Sequence, residues 1–142
     1  EEVTLDAADV AARALERAGL DASLAAVEGG AGTFRGDATL VQAALGILLG
    51  NARRHGGRVT ALRVTRAGGA VRFAVDDDGP GFAAEDVPRA FEPFYQAKDA
   101  RQRGGVGMGL ALVARVAKAH GGGASAENLP GGGARVTVWF AG

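Results

Sequence analysis

The chain has 142 residues, which fits one domain built around one hydrophobic core. Its 16 basic and 16 acidic residues balance, so bulk charge gives no reason to expect binding to nucleic acid or to a membrane surface. The absence of cysteine excludes disulfides, thiolate chemistry and cysteine-ligated zinc. No apolar run reaches transmembrane length, and no signal peptide is visible.

Helices and strands are predicted along the whole chain. Apolar residues recur at helical spacing in three stretches, which are 6–18, 37–55 and 108–120. Strand-like alternation marks six stretches, which are 24–27, 33–35, 58–66, 70–76, 122–128 and 134–140. Asp6 and Asp37 are the predicted N-caps of the first two helices, and a short helical turn is predicted near 83–90. Gly68 and Gly69 predict a hairpin between the third and fourth strands.

The glycine clusters do not fit the most familiar phosphate-binding templates. A P-loop requires a lysine after its last glycine, but the only lysines are Lys98 and Lys118, and neither follows a glycine. A dinucleotide fingerprint is excluded because in "GGVGMGL" the third glycine, Gly109, falls one residue early. The glycines therefore require another interpretation.

Three consecutive acids in "DDDGPGF" (76–82) form the most unusual stretch. The apolar residues of strand 70–76 must face the core, and continuing their alternation points Asp77 inward, while Asp76 and Asp78 point away. A buried carboxylate needs a partner, and the exocyclic amine of adenine would supply one. The alternative is an Asx-turn in which Asp77 accepts only backbone N–H groups.

The helix at 37–55 has a polar face beside its core stripe. Near its C-terminal end this face carries Ile47, Asn51, Arg54 and His55. An amide oxygen such as that of Asn51 is a suitable ligand for Mg²⁺, and a guanidinium suits phosphate. Gly46 and Gly50 lower helix propensity, which predicts a close approach of another backbone. The alternative is an ordinary helix end with solvated polar residues.

The stretch "RGGVGMGL" (103–110) places glycines directly before the third long helix. Free N–H groups and the positive end of the helix dipole would then face outward, which is typical of an anion site for phosphates. A flexible loop followed by an ordinary first helical turn is the alternative.

These motifs together resemble the ATP-binding catalytic domain of sensor histidine kinases, in the gyrase/Hsp90/histidine kinase/MutL ATPase superfamily. "LLGNARRH" resembles the N box, "DDDGPGF" the first glycine box, "FEPFY" (91–95) the F box and "GGVGMGL" the second glycine box. "AHGG" and "PGGGARVTV" resemble the usual ending, so the resemblance spans nearly the whole chain.

The resemblance implies a Bergerat ATP-binding fold, an α/β two-layer sandwich in which a mixed sheet packs against three main helices, with residues 1–142 as one catalytic domain. It implies catalytic roles for Asn51 and Arg54, with Asn51 also the metal ligand. Residues 96–106 would form a mobile lid. The implied nucleotide-binding residues are Asn51, Arg54, His55, Asp77, Gly79, Gly81, Arg101, Arg103, Gly105, Gly107, Met108, Gly109 and Leu110.

The implied activity is that of a protein-histidine kinase with ATP and Mg²⁺ as cofactors. The γ-phosphoryl group would pass to a histidine on a separate dimerisation domain of the same kinase, and from there to a response regulator. The full-length kinase would be a dimer. Because His55 and His120 both lie in catalytic-domain motifs, we expect the acceptor domain to be absent here and no autophosphorylation by this chain alone. We expect a cytoplasmic domain without nucleic-acid or direct membrane contact, whose parent is either soluble or anchored in the inner membrane.

Two positions depart from the family pattern. Ile47 stands where the family often has an asparagine four residues before the N-box Asn51, and Arg54 stands where a lysine is frequent. The first change bears on metal coordination, and the second keeps the charge. Two alternatives remain open. One is an anti-sigma-type serine kinase of the same superfamily, although "FEPFY" favours the histidine kinase. The other is a nucleotide-binding interaction module with impaired catalysis, which Ile47 would allow.

Overall fold

The structure is a computed structural model that describes residues 1–54, 57–92 and 109–142. Within these ranges three α-helices pack on one face of a mixed β-sheet, which confirms the predicted α/β two-layer sandwich. The helices are α1 (Ala7–Arg17), α2 (Ala38–Arg54) and α3 (Gly109–Ala119). None of these helices has the length and apolarity that crossing a bilayer requires.

The strands form two sheets in the described part of the chain. They are β1 (Glu2–Asp6), β2 (Ala25–Val27), β3 (Thr33–Asp37), β4 (Val59–Ala67), β5 (Ala70–Asp77), β6 (Gly123–Asn128) and β7 (Ala134–Ala141). The main sheet has the order β2-β4-β5-β7-β6, with β2 parallel to β4 and every other pair antiparallel. β1 and β3 pair separately as an antiparallel ribbon. This order places β5 at the centre of the sheet, so its C-terminal end lies between β4 and β7.

The helix caps and the hairpin follow the prediction. Asp6 accepts a hydrogen bond from the Asp9 amide at 2.9 Å, and Asp37 accepts one from the Leu40 amide at 3.0 Å. Each bond satisfies an N–H group that the first helical turn leaves without a partner. Gly68 and Gly69 have φ angles of 60° and 77°, as a two-residue hairpin loop requires.

The core lies between the helices and the inner face of the sheet. Among the described elements α2 supplies the largest share of its aliphatic residues, including the fully buried Leu45. Below it, Phe34, Phe73 and Phe140 pack with ring centroids 5.5 to 5.9 Å apart. Burying each such ring contributes roughly 1.5–3 kcal/mol, so this cluster anchors the ribbon formed by β1 and β3 to the main sheet.

Three local expectations differ from the structure. β1 was not predicted, and Leu24 ends a 3₁₀ turn (Ala22–Leu24) before β2. Outside the backbone of α2 itself, no described residue lies within 4 Å of the position that a Cβ would take on Gly46, and only the Arg54 side chain, at 3.9 Å, comes that near to the same position on Gly50. Among the described residues, no other backbone therefore approaches either glycine closely. The close approach occurs instead just after α2, at Gly57.

Candidate nucleotide-binding site

The first glycine box begins at the C-terminal end of β5. Asp77 is half-buried there, and its Oδ1 accepts hydrogen bonds from the Gly79 amide at 2.9 Å and from the Ala134 amide at 3.3 Å. The Asx-turn contact is therefore present, but it occupies only one carboxylate oxygen. No described residue donates a hydrogen bond to Oδ2, so that oxygen can accept one from a ligand.

Asp76 is the most buried of the three acids, with 3% of its surface exposed. Its side chain accepts hydrogen bonds from Arg63 Nε at 2.9 Å and from Arg135 Nε and Nη2 at 2.6 and 2.8 Å. Burial works to raise the pKa of Asp76, but these hydrogen bonds outweigh it and hold the pKa below its usual range. Asp76 lies on the face opposite the core, as its place in the strand predicts, but it is not solvent-exposed, because arginines of β4 and β7 cover it.

Asp78 has a separate partner at the surface. Its Oδ1 accepts a hydrogen bond from the Arg58 amide at 2.6 Å, and the Arg58 guanidinium lies 3.2 Å from Oδ2. The backbone hydrogen bond is the larger cause of a lowered pKa at Asp78. The three consecutive carboxylates therefore do not share one site, and only Asp77 has an oxygen that the described part of the chain leaves for a ligand.

The polar face of α2 begins with an apolar residue. Ile47 is half-buried and packs against the core, and its Cγ2 lies 3.2 Å from the position that a Cβ would take on Gly109. Asn51 follows one helical turn later and is half-buried, and its side chain has no hydrogen bond to another described residue. Arg54, exposed, is the last residue of α2. The first turn of α3 therefore lies against α2 one turn before Asn51.

The chain just after the C-terminal end of α2 approaches the first glycine box. A Cβ on Gly57 would lie 2.5 Å from the Gly79 amide nitrogen and 3.3 Å from Asp77 Oδ1, so only glycine fits at position 57 without a shift. Sequence reasoning did not select Gly57, although it belongs to the glycine pair that follows α2. Asn51 therefore lies along the chain between Ile47, which contacts Gly109 of α3, and Gly57, which lies against Asp77.

The helix α3 begins at Gly109, and the half-buried Leu110 packs against the core. The first four N–H groups of a helix have no partner within it, and the helix dipole makes this end positive. The remaining predicted site residues lie outside the described residues, namely His55, Arg101, Arg103, Gly105, Gly107 and Met108, together with most of the F box and the lid at 96–106.

A magnesium ion fits this donor set only together with a nucleotide. The described ranges contain no group of three His, Asp or Glu side chains that could hold a metal by themselves. Mg²⁺, however, commonly takes one or two protein ligands and completes its shell with substrate phosphates and waters. The half-buried amide of Asn51, which has no hydrogen bond within the described residues, suits that mode.

The comparisons with known proteins agree with this arrangement. Residues 36–141 match the family of histidine kinase-, DNA gyrase B-, and HSP90-like ATPases. A sensor histidine kinase component of Mycobacterium tuberculosis is 44% identical over 91 residues, which are 64% of this chain and 54% of the relative. The histidine-protein kinase AfsQ2 of Streptomyces coelicolor is 41% identical over 92 residues, which are 64% of this chain but 17% of that protein.

The chain thus spans between about a sixth and about half of these relatives. Among solved structures, the ATP binding domain of PrrB from Mycobacterium tuberculosis superimposes with a TM-score of 0.72 at 30% identity, covering 100% of this chain and 98% of that one. The chain therefore belongs to the histidine kinase-, DNA gyrase B- and HSP90-like ATPase family, in its sensor histidine kinase branch.

Proposed function

We propose that residues 1–142 form a single catalytic domain that binds Mg-ATP and donates its γ-phosphoryl group to a histidine of a separate dimerisation domain. The observation that carries the proposal is the half-buried Asp77 carboxylate, with Oδ1 held by two backbone amides and Oδ2 without a donor among the described residues. Adenine presents an amine to such an acceptor. Guanine presents a carbonyl there, which would leave the carboxylate facing another acceptor at a cost of about 1–3 kcal/mol.

The triphosphate would extend from Asp77 along α2 toward the start of α3. Asn51 would bind Mg²⁺, which when present neutralises phosphate charge, and Arg54 would contact phosphate oxygens. Gly79 and Gly81 would form the wall beside the base, and the backbone at Gly109 and Leu110 would offer N–H groups to the phosphates. Arg101, Arg103, Gly105, Gly107, Met108 and His55 stay as predicted contacts on the basis of their motifs.

The phosphoryl acceptor is proposed to lie outside this domain. His120 is 9% exposed, its Nδ1 donates to the Val116 carbonyl at 2.8 Å, and its Nε2 accepts from the Asp37 amide at 3.1 Å. With both ring nitrogens engaged, His120 is not available as a nucleophile. The acceptor histidine would belong to the same kinase, dimeric in full length, which would then phosphorylate a response regulator in the cytoplasm.

Calorimetric titration and phosphotransfer test this proposal. The domain should bind Mg-ATP more tightly than Mg-GTP, and Asp77→Asn should lose most of that affinity. With labelled ATP, the domain alone should stay unlabelled, whereas a supplied histidine-bearing dimerisation domain should acquire acid-labile phosphate. An acceptor domain with its histidine replaced by alanine is the control.

Each alternative gives a different result in the same experiment. An acid-stable phosphate on a supplied protein substrate would indicate a serine kinase. Binding of ATP without transfer to any acceptor would indicate a nucleotide-binding module with impaired catalysis. Equal affinities for ATP and GTP would show that Asp77 does not read the base.

A further inference from the structure

We propose that Asn128 is a positioning residue for the nucleotide, because it fixes the loop that orients Asp77; this inference rests on the proposed function. Asn128 ends β6 and lies 46 residues from Phe82, the last residue of the first glycine box. Its Oδ1 accepts a hydrogen bond from the Phe82 amide at 2.8 Å, and its Nδ2 donates one to the Phe82 carbonyl at 2.8 Å. One side chain thus satisfies both backbone groups of Phe82.

The loop from Asp77 to Phe82 packs directly against the Asn128 side-chain amide. Gly81 has a φ of +80°, and a Cβ on it would lie 2.7 Å from Asn128 Oδ1. Residues with side chains rarely adopt that conformation, and a side chain at position 81 would push the Asn128 amide away from the loop. The loop between Asp77 and Phe82 can therefore approach Asn128 closely enough for two short hydrogen bonds only because Gly81 lacks a side chain.

The turn after β6 contacts the other end of the same loop. A Cβ on Gly133 would overlap the carbonyl oxygen of Asp77, so the two backbones are in direct contact. The next residue, Ala134, donates its amide to Asp77 Oδ1 at 3.3 Å. The segment from Asn128 to Ala134 therefore holds both the first and the last residue of the loop that carries Gly79.

The chemistry of the Asn128 side-chain amide explains how this residue would affect adenine binding. Only Asn and Gln place a donor and an acceptor side by side, so Ala, Ser or Asp cannot make both bonds to Phe82. Without them the loop would relax, and with it the Gly79 amide that holds Asp77 Oδ1 at 2.9 Å. Asn128 touches no reacting atom itself, and its effect is on the direction of the Asp77 carboxylate.

The test measures the affinities of Mg-ATP and Mg-GTP for the whole domain by calorimetry. Asn128→Ala removes both bonds, and the isosteric Asn128→Asp keeps the acceptor but sets an oxygen against the Phe82 carbonyl. Glu127→Ala, at the exposed neighbouring position, is the matched control. Circular dichroism checks folding, so that Asn128→Asp carries the test if the alanine variant unfolds.

We expect both Asn128 variants to lose roughly fivefold to tenfold in ATP affinity, while GTP affinity and the control stay unchanged. Faster hydrogen exchange at the Phe82 amide should accompany the loss. A shift toward unfolded protein would lower the apparent affinities for ATP and GTP by the same factor. A change in the ratio of the ATP affinity to the GTP affinity therefore reports on the orientation of Asp77 and not on folding. An unchanged ratio in folded variants would overturn the role of Asn128 and leave the proposed function intact. A wild type without preference for ATP would overturn the proposed function, and this inference with it.

Discussion

Replacing Asp76 by asparagine should destabilise the fold far more than the same change at Asp78, two residues away. Asp76 is 3% exposed and lies between the guanidinium groups of Arg63 and Arg135. The introduced side-chain amide would keep the shape but would lose the charge and turn one oxygen acceptor into a donor that faces an arginine. Asp78 serves as the matched control, because its side chain is 40% exposed and its partner Arg58 is 89% exposed.

The magnitude follows from the burial of each partner. Breaking a fully buried ion pair costs about 3–5 kcal/mol, because the remaining charge is left without a partner. Here the side chains of Arg63 and Arg135 are 50% and 31% exposed, so water can solvate them after the change. We therefore expect Asp76→Asn to lower the free energy of unfolding by about 2–3 kcal/mol. Asp78→Asn should cause a much smaller loss, since water already reaches both partners.

Urea denaturation at a series of pH values measures both the loss and its origin. The pKa of Asp76 is lowered in the folded state, so its contribution to stability is present above the unfolded pKa of about 3.9 and is lost as the pH falls through the folded pKa. The gap between the wild type and Asp76→Asn should therefore be constant from neutral pH down to about pH 5 and should close in stronger acid.

Two results would refute this reasoning. An equal loss of unfolding free energy in Asp76→Asn and Asp78→Asn would show that burial does not decide how much these carboxylates contribute to stability. A gap that stays the same down to about pH 2, well below the ordinary carboxyl pKa, would show that the loss comes from packing and not from the charge of Asp76.

Three further predictions concern the site and its frame. The wild-type domain should hydrolyse ATP very slowly, because Ile47, one helical turn before the proposed Mg²⁺ ligand Asn51, has no group that could accept a proton from water. Ile47→Glu should increase steady-state phosphate release by up to about 10²–10⁴-fold if the new carboxylate activates water as a general base. Rapid turnover by the wild type would contradict this reasoning. His120→Phe should lower the free energy of unfolding in urea by about 1–3 kcal/mol, because it leaves the Asp37 amide without its acceptor. Gly133→Ala should lower the melting temperature, since its Cβ would overlap the Asp77 carbonyl; a wild-type melting temperature would show that the turn after β6 is not packed on that strand.

Local sequence was sufficient for the elements whose pattern is self-contained. The helix caps at Asp6 and Asp37 and the hairpin at Gly68 and Gly69 are set by residues within a few positions, and the structure confirms each of them. Helix periodicity likewise identified the buried face of α2, because a side chain's direction on a helix depends only on its place in the turn. Ordered motifs along nearly the whole chain were enough to identify the family.

Tertiary structure decided the features that depend on distant strands. Strand alternation gave the correct face for Asp76 but not its burial, because Arg63 and Arg135 reach it from the strands on either side. β1 is short and exists through its pairing with β3, about 30 residues later, so its own residues gave little signal. Asn128 meets Phe82 only because the sheet order brings the end of β6 to the first glycine box. Periodicity fixes the direction of a side chain along its own element, whereas its partner depends on which elements the fold places beside it.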